Sequence, residues 1–217
     1  GATVWNLPPP GALPIRQETE RVSVSLRPLV DMAVAPDGNA FIVDRAGQIR
    51  RMDIATGRLL DSDLQRWLSG ELKIPSLPIP PDRDPKIPAQ MAISPDGRIL
   101  ALSVARMEVT DANRSQRIRS SVVLWDLRTR RPVGVLGEHS NVITGMAFSP
   151  TGDRIATVSG IPEITQRAIA RADRMGNTIG IDDNDVRVWD IASGQTMAVS
   201  RERAAAYTAV HWMPDDS

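Results

Sequence analysis

One short phrase recurs along this chain: MAVAPDG (Met32–Gly38), MAISPDG (Met91–Gly97), MAFSPTG (Met146–Gly152) and the truncated VHWMPDD (Val210–Asp216). Three copies are followed downstream by a second phrase: RMDIATG (Arg51–Gly57), VLWDLRTR (Val123–Arg130) and VRVWDIASG (Val186–Gly194). A paired signature repeated in order is the mark of a repeat architecture. Each unit is one supersecondary module that buries its apolar surface only against its neighbours. The pattern therefore favours a binding or scaffolding ring over a single catalytic pocket.

The stretch Met91–Leu136 shows how one unit reads. Met91–Ser94 is a short apolar strand, and Pro95-Asp-Gly97 is a turn in which Pro sets φ and Gly takes the positive φ other residues avoid. Arg98–Ala105 is a second strand, and Ser120–Leu127 a third that ends at the turn Arg128–Arg131. Pro132–Leu136 is the fourth. The same parse fits Met32–Leu60 and Met146–Ser200. Four antiparallel strands joined by tight turns make one small sheet, and such sheets stacked radially bury both faces. The expected fold class is all-β: an incomplete β-propeller of four-stranded antiparallel blades with short helical and Pro-rich insertions. Expected divisions are strands of a preceding unit over 1–28, a unit over 29–60, an insertion over 61–89, units over 90–137 and 138–200, and the start of another over 201–217.

These residues resemble the WD-repeat family. Val186-Arg-Val-Trp-Asp190 and Val123-Leu-Trp-Asp126 reproduce its closing motif, and Gly137-Glu-His139 is similar to its Gly-His element, split by Glu138. The resemblance implies a structural hydrogen-bond set of His139, Thr157 or Ser159, Asp183 and Trp189. It also implies blade packing by Trp5, Trp125 and Trp189. The first unit has Met52 in place of the Trp, and the second has Arg119 where the network Asp is expected. A family propeller usually has seven blades, so three full units with flanking strands should not close a ring. Both ends of the chain cut through repeats, which leads us to expect a piece of a longer chain. The missing blades would come from that chain or from a second copy.

In a four-stranded meander the first and third turns lie at one end and the other connections at the opposite end. The long connections are all of the second kind: Asp61–Ala89, Arg106–Arg119 and Gly160–Asp182. Long loops tend to be functional, and these share one rim. Within the first, Asp61–Ser69 predicts a short helix with Leu64, Trp67 and Leu68 on one face, followed by an extended Pro75–Pro88. Arg106–Arg119 predicts a mobile loop. Pro162–Met175 predicts a second helix, with Arg167, Arg171 and Arg174 as a basic stripe. Trp67, Arg106, Arg114, Arg117, Arg167, Arg171 and Arg174 are the candidate partner-binding residues.

Bulk properties narrow the function. Twenty-six basic and 26 acidic residues balance to zero over 217 positions, so no global field attracts nucleic acid or an anionic membrane. Without Cys there is no disulfide or thiolate metal site. No apolar run approaches the roughly 18 residues of a membrane span. Asp182–Asp185 lacks the Gly and distal Glu of a helix-loop-helix calcium site. No G-x-S-x-G elbow or phosphate-cradling glycine motif occurs, and no catalytic residue, cofactor or metal is expected. The expected function is a non-enzymatic interaction module whose rim meets a protein partner or another domain of its own chain. The alternative is a regulatory or sensor propeller of a larger bacterial enzyme, of the peptidase or signalling ATPase type. A cytoplasmic location is expected, with the periplasm also compatible.

Overall fold

The computed structural model describes residues 29–44, 49–60, 90–109, 116–129, 131–160, 179–180, 184–202 and 207–214. Three successive antiparallel sheets form three blades of an incomplete propeller. The first comprises β1 (Leu29–Val34), β2 (Asn39–Asp44), β3 (Ile49–Asp53) and β4 (Leu59–Leu60), paired in chain order. The second holds β5 (Met91–Ile93), β6 (Ile99–Val109), β7 (Gln116–Asp126) and β8 (Arg131–His139). The third contains β9 (Val142–Phe148), β10 (Arg154–Gly160), β12 (Asn184–Asp190) and β13 (Thr196–Glu202). Between β10 and β12, the two-residue β11 (Ile179–Gly180) leaves its own blade and pairs in parallel with Gln116–Arg117 of β7. All described secondary structure is strand or turn. The expected helices over 61–69 and 162–175, the Pro-rich stretch 75–88 and the strand at Trp5 lie outside the described residues.

The recurring Pro-x-Gly phrase makes the first turn of every blade. Gly38, Gly97 and Gly152 have φ of 81, 71 and 77°, and their N–H groups donate to the carbonyls of Ala35, Ser94 and Ser149. The Asp of the second phrase is turn chemistry as well. Asp53, Asp126 and Asp190 each accept the backbone N–H three residues on, from Thr56, Thr129 and Ser193. The amide of Thr129 is the main reason the Asp126 carboxyl lies at about 2, against the opposing effect of burial and with help from Arg98. The two turns of a blade are tied together at one end. Ile54, Leu127 and Ile191 donate their N–H to the carbonyls of Gly38, Arg98 and Asp153.

Period-two alternation gives each sheet two apolar faces. Ala33, Ala35, Phe41, Val43 and Ile49 of the first blade pack against Met91, Leu100, Leu102, Val123 and Trp125 of the second. Ala101, Val122, Leu124 and Leu136 from the other face of the second blade meet Ile143, Phe148, Ile155 and Trp189 of the third. On the far face of the third blade, the segment 207–214 is pressed close. Tyr207 O accepts the Thr144 hydroxyl at 2.6 Å, and the Trp212 indole donates to Ala147 O at 2.9 Å. Inside the arc, Asp31 Oδ2 on β1 accepts the Met91 N–H at the start of β5, 2.7 Å away.

One expectation is overturned. The two ends of Arg106–Arg119 are not a mobile loop, because Arg106, Met107, Glu108 and Val109 continue the β6–β7 ladder against Arg119, Ile118, Arg117 and Gln116, while residues 110–115 lie outside the described residues. Pairing aligns Met107 with Ile118 on one face and the charged residues on the other, an alternation hidden when the stretch is scanned without its partner strand. The fourth strand of this blade is also longer than Pro132–Leu136, running through His139.

The turns of successive blades touch. A Cβ on Gly97 would come within 3.2 Å of Pro36 Cδ, while one on Gly38 would meet nothing within 4 Å. Gly38→Ala should cost only the left-handed backbone strain, about 1–2 kcal/mol, and Gly97→Ala measurably more. Urea unfolding of both variants tests this, and equal losses would show that the Pro36 contact does not constrain the second turn.

Candidate functional site

The most organised polar group in the described residues lies between the second and third blades. Ile155, Thr157 and Ser159 share one face of β10, where Ile155 and Thr157 pair with Trp189 and Arg187 of β12 and Ser159 is hydrogen-bonded to Asp185. His139, at the end of β8, enters this face fully buried, as are Thr157 and Ser159. His139 Nδ1 donates to Asp185 Oδ1, leaving Nε2 to accept the Thr157 hydroxyl at 2.7 Å. The Thr157 oxygen accepts the Trp189 indole N–H at 2.8 Å. Ser159 Oγ donates to Asp185 Oδ1 at 2.7 Å and accepts the Asp185 N–H at 2.9 Å. Arg187 Nε donates to Asp185 Oδ2 at 2.7 Å, and its guanidinium lies 5.6 Å from the Trp189 ring centroid. Beside the group, Asn141 Nδ2 donates to Asn184 Oδ1 at 2.9 Å.

Burial alone pushes the Asp185 carboxyl up. The hydrogen bond from His139, with those of Ser159 and Arg187, outweighs that and holds it at about 2. Both carboxylate oxygens are engaged. The arrangement fastens the end of β8 to β10 and β12. Among the described residues no group of three or more His, Asp or Glu is arranged to hold a metal ion.

The acid of the set is therefore Asp185. Asp183, which the family resemblance suggested, lies outside the described residues. Counting back in twos from Trp189 reaches Asp185 opposite Ser159, so the strand period contained the signal. In the second blade the register counterpart of Asp185 is Ser121, opposite Val104, and not Arg119. Leu102 stands where the third blade has Thr157, so that blade relies on apolar packing. Trp125 and Trp189 are buried in the two inter-blade clusters.

Trp5, Trp67, Arg114, Arg167, Arg171 and Arg174 lie outside the described residues. Arg106 has a register position on β6, although its side chain is outside the description. Arg117 is exposed on β7. The strand ends that bound the three long connections, Leu60 and Gln90, Val109 and Gln116, Gly160 and Asn184, lie opposite the Pro-x-Gly turns by the antiparallel order of the sheets.

The WD40 family model (WD domain, G-beta repeat) matches residues 130–163, which run from β8 through β10 and include His139, Thr157 and Ser159. The chain carries a WD40 repeat and has the fold of a partial WD-repeat-type propeller. It is similar to an uncharacterized WD repeat-containing protein of Synechocystis sp., with 26% identity over 129 residues, or 59% of this chain. The match spans 27% of that relative's length. Among solved structures, U3-55K superposes with a TM-score of 0.51 at 18% identity, covering 86% of this chain and 43% of the other. The WD40 repeats of RRP9 give 0.50 at 16% identity, covering 86% and 42%. At these identities the structural likeness establishes the fold alone.

Two outcomes test the buried set. Thr157→Val keeps shape but orphans the Trp189 N–H and His139 Nε2, and should lower stability by about 1–3 kcal/mol. Because the folded Asp185 carboxyl sits below its ordinary 3.8, at about 2, its contribution is complete above pH 4 and is lost as the pH falls toward 2. Asp185→Asn should remove that part of the acid dependence in urea titrations between pH 2 and 5. An unchanged acid limb would show that another carboxyl governs it.

Proposed function

We propose that this chain is a non-enzymatic scaffold whose elaborated rim receives a protein partner or another domain of its own chain. WD-repeat propellers are generally protein-interaction scaffolds, and the rim assignment goes beyond that general role. The observation that carries it is the extension of β6 and β7 past their blade-mates on the side away from the short turns. That ribbon is clamped on one edge by β11, arriving from the next blade. Pre-organised strands lose little entropy when a partner docks, which is how a rigid scaffold gains affinity from few contacts.

Ring completion belongs to the same proposal. Trp189 faces the second blade and Trp125 the first, whereas Met52, at the equivalent place on β3, faces away from the second blade. On that face Met52 clusters with Ala40 and Ile42, while Met32 and Val34 remain 48% and 54% exposed. A further blade, from the parent chain or from a second copy, would cover these positions. A regulatory or sensor propeller within a larger bacterial enzyme, of the peptidase or signalling ATPase type, is the second reading; the match spans 27% of the relative's length.

Site-specific photo-crosslinking in the full-length protein tests the rim. A benzophenone side chain at exposed Glu138, near the rim end of β8, should crosslink a partner, whereas one at exposed Thr129, in the opposite turn, should not. Equal crosslinking from the two positions would remove the reason for assigning the rim.

A further inference from the structure

We infer that the outer edge of β7, at the rim, is a strand-addition site that takes an extended, uncharged segment of a partner protein in parallel. This rests on the rim reading above and adds the form of the partner. A strand has two edges. Along Gln116–Arg119 one edge of β7 is filled by the backbone of Arg106–Val109 on β6. On the other edge the β8 ladder stops where Ser120 pairs with His139. Beyond that stop, the described pairing on this edge is Gln116 with Ile179 and Arg117 with Gly180 of β11.

β11 shows that this edge accepts an extended chain, and in which direction. It is a weak occupant. It spans two residues, one of them a glycine, which weakens a strand. Parallel pairing is also slightly less stable per residue than antiparallel pairing. A longer segment would make a fuller run of main-chain hydrogen bonds, from which strand addition draws its affinity. The Ser120 hydroxyl marks the same place. It is buried, at 1% exposure, and has no hydrogen-bond partner. A segment longer than β11 would bring its backbone polar groups to that junction of the two ladders.

Register also sets the side chains of the occupant. Alternate residues share a face. Ile179 lies opposite Gln116, on the parity of Ile118 and Ser120, whereas Gly180 lies opposite exposed Arg117. Val122 and Leu124, of the first parity, pack in the seam between the second and third blades. The segment therefore carries aliphatic residues at alternate positions on the seam side and small or polar ones between them.

Because the chain contains no Cys, an added pair can lock β11 in place. Gln116→Cys/Ile179→Cys puts thiols on opposed residues of neighbouring strands, within disulfide reach. The probe is a labelled hexapeptide of residues 176–181, GNTIGI, followed by fluorescence anisotropy on the full chain. It should bind the reduced form independently of salt, and the oxidised form at least roughly tenfold more weakly. Ile179→Pro/Gly180→Pro lacks both β11 N–H donors and should bind it roughly tenfold more tightly than the parent chain. Equal affinity of the oxidised and reduced forms would overturn the proposal. So would no binding to the reduced form up to about 1 mM, the effective concentration of a tethered segment, or a folded proline variant that binds no more tightly. The lock comparison decides if the proline variant fails to fold. Dimerisation of the reduced form that oxidation abolishes would assign the edge to β11 of a second copy and overturn the partner reading. Partner crosslinking from Glu138 that persists in the oxidised form would leave the rim reading intact and remove only strand addition.

Discussion

Face-to-face packing of successive sheets is the interaction on which this molecule depends. A four-stranded sheet with apolar residues on both sides cannot bury them alone, so each blade is completed by the next. The seam between the first two blades is closed by Trp125, Leu100 and Phe41, and the next by Trp189, Leu136 and Ile143. Glycine enters this geometry where the backbone must come close. At Gly137, an added Cβ would stand 3.1 Å from the rim of the Trp189 ring. The large third-strand residue of one blade thus dictates a small residue on the fourth strand of its predecessor.

The seams are not equivalent. The second uses a chain of hydrogen bonds from Trp189 through Thr157 and His139 to Asp185, whereas Leu102 and Val104 make the corresponding face of the second blade apolar. A buried polar set is tolerable only when each member finds its partner. Here Ser159 and Arg187 occupy what His139 leaves of the Asp185 carboxylate. The set therefore fixes where β8 ends and β9 begins. That fixed corner also ends the β7–β8 pairing at Ser120 and His139, leaving the next stretch of β7 to be met by β11.

Much of the fold was legible in the chain because its signals are local. Pro-Asp-Gly specifies a turn through φ alone, and Asp three residues before an N–H specifies another, so blade count and strand order follow from spacing. The Arg106–Arg119 stretch was opaque because Met107, Val109 and Ile118 look isolated until β6 and β7 are paired. Asp185 was missed in favour of Asp183 because a family motif tolerates shifts in loop length, whereas a ladder does not. The candidate site was legible only in part. His139, Thr157, Ser159 and Trp189 could be named, but Arg187 became a member only once register put it on the same face.

By itself, the sequence determined that this chain would form four-stranded antiparallel modules, where their short turns fall, and that their faces must be covered. Those are consequences of backbone sterics and of period-two hydrophobicity, which act within a few residues. Tertiary structure alone decided which carboxylate meets His139, that β11 crosses to the neighbouring blade, and that arginines 13 positions apart stand opposite one another. These pairings join residues distant in the chain, and only strand register fixes them.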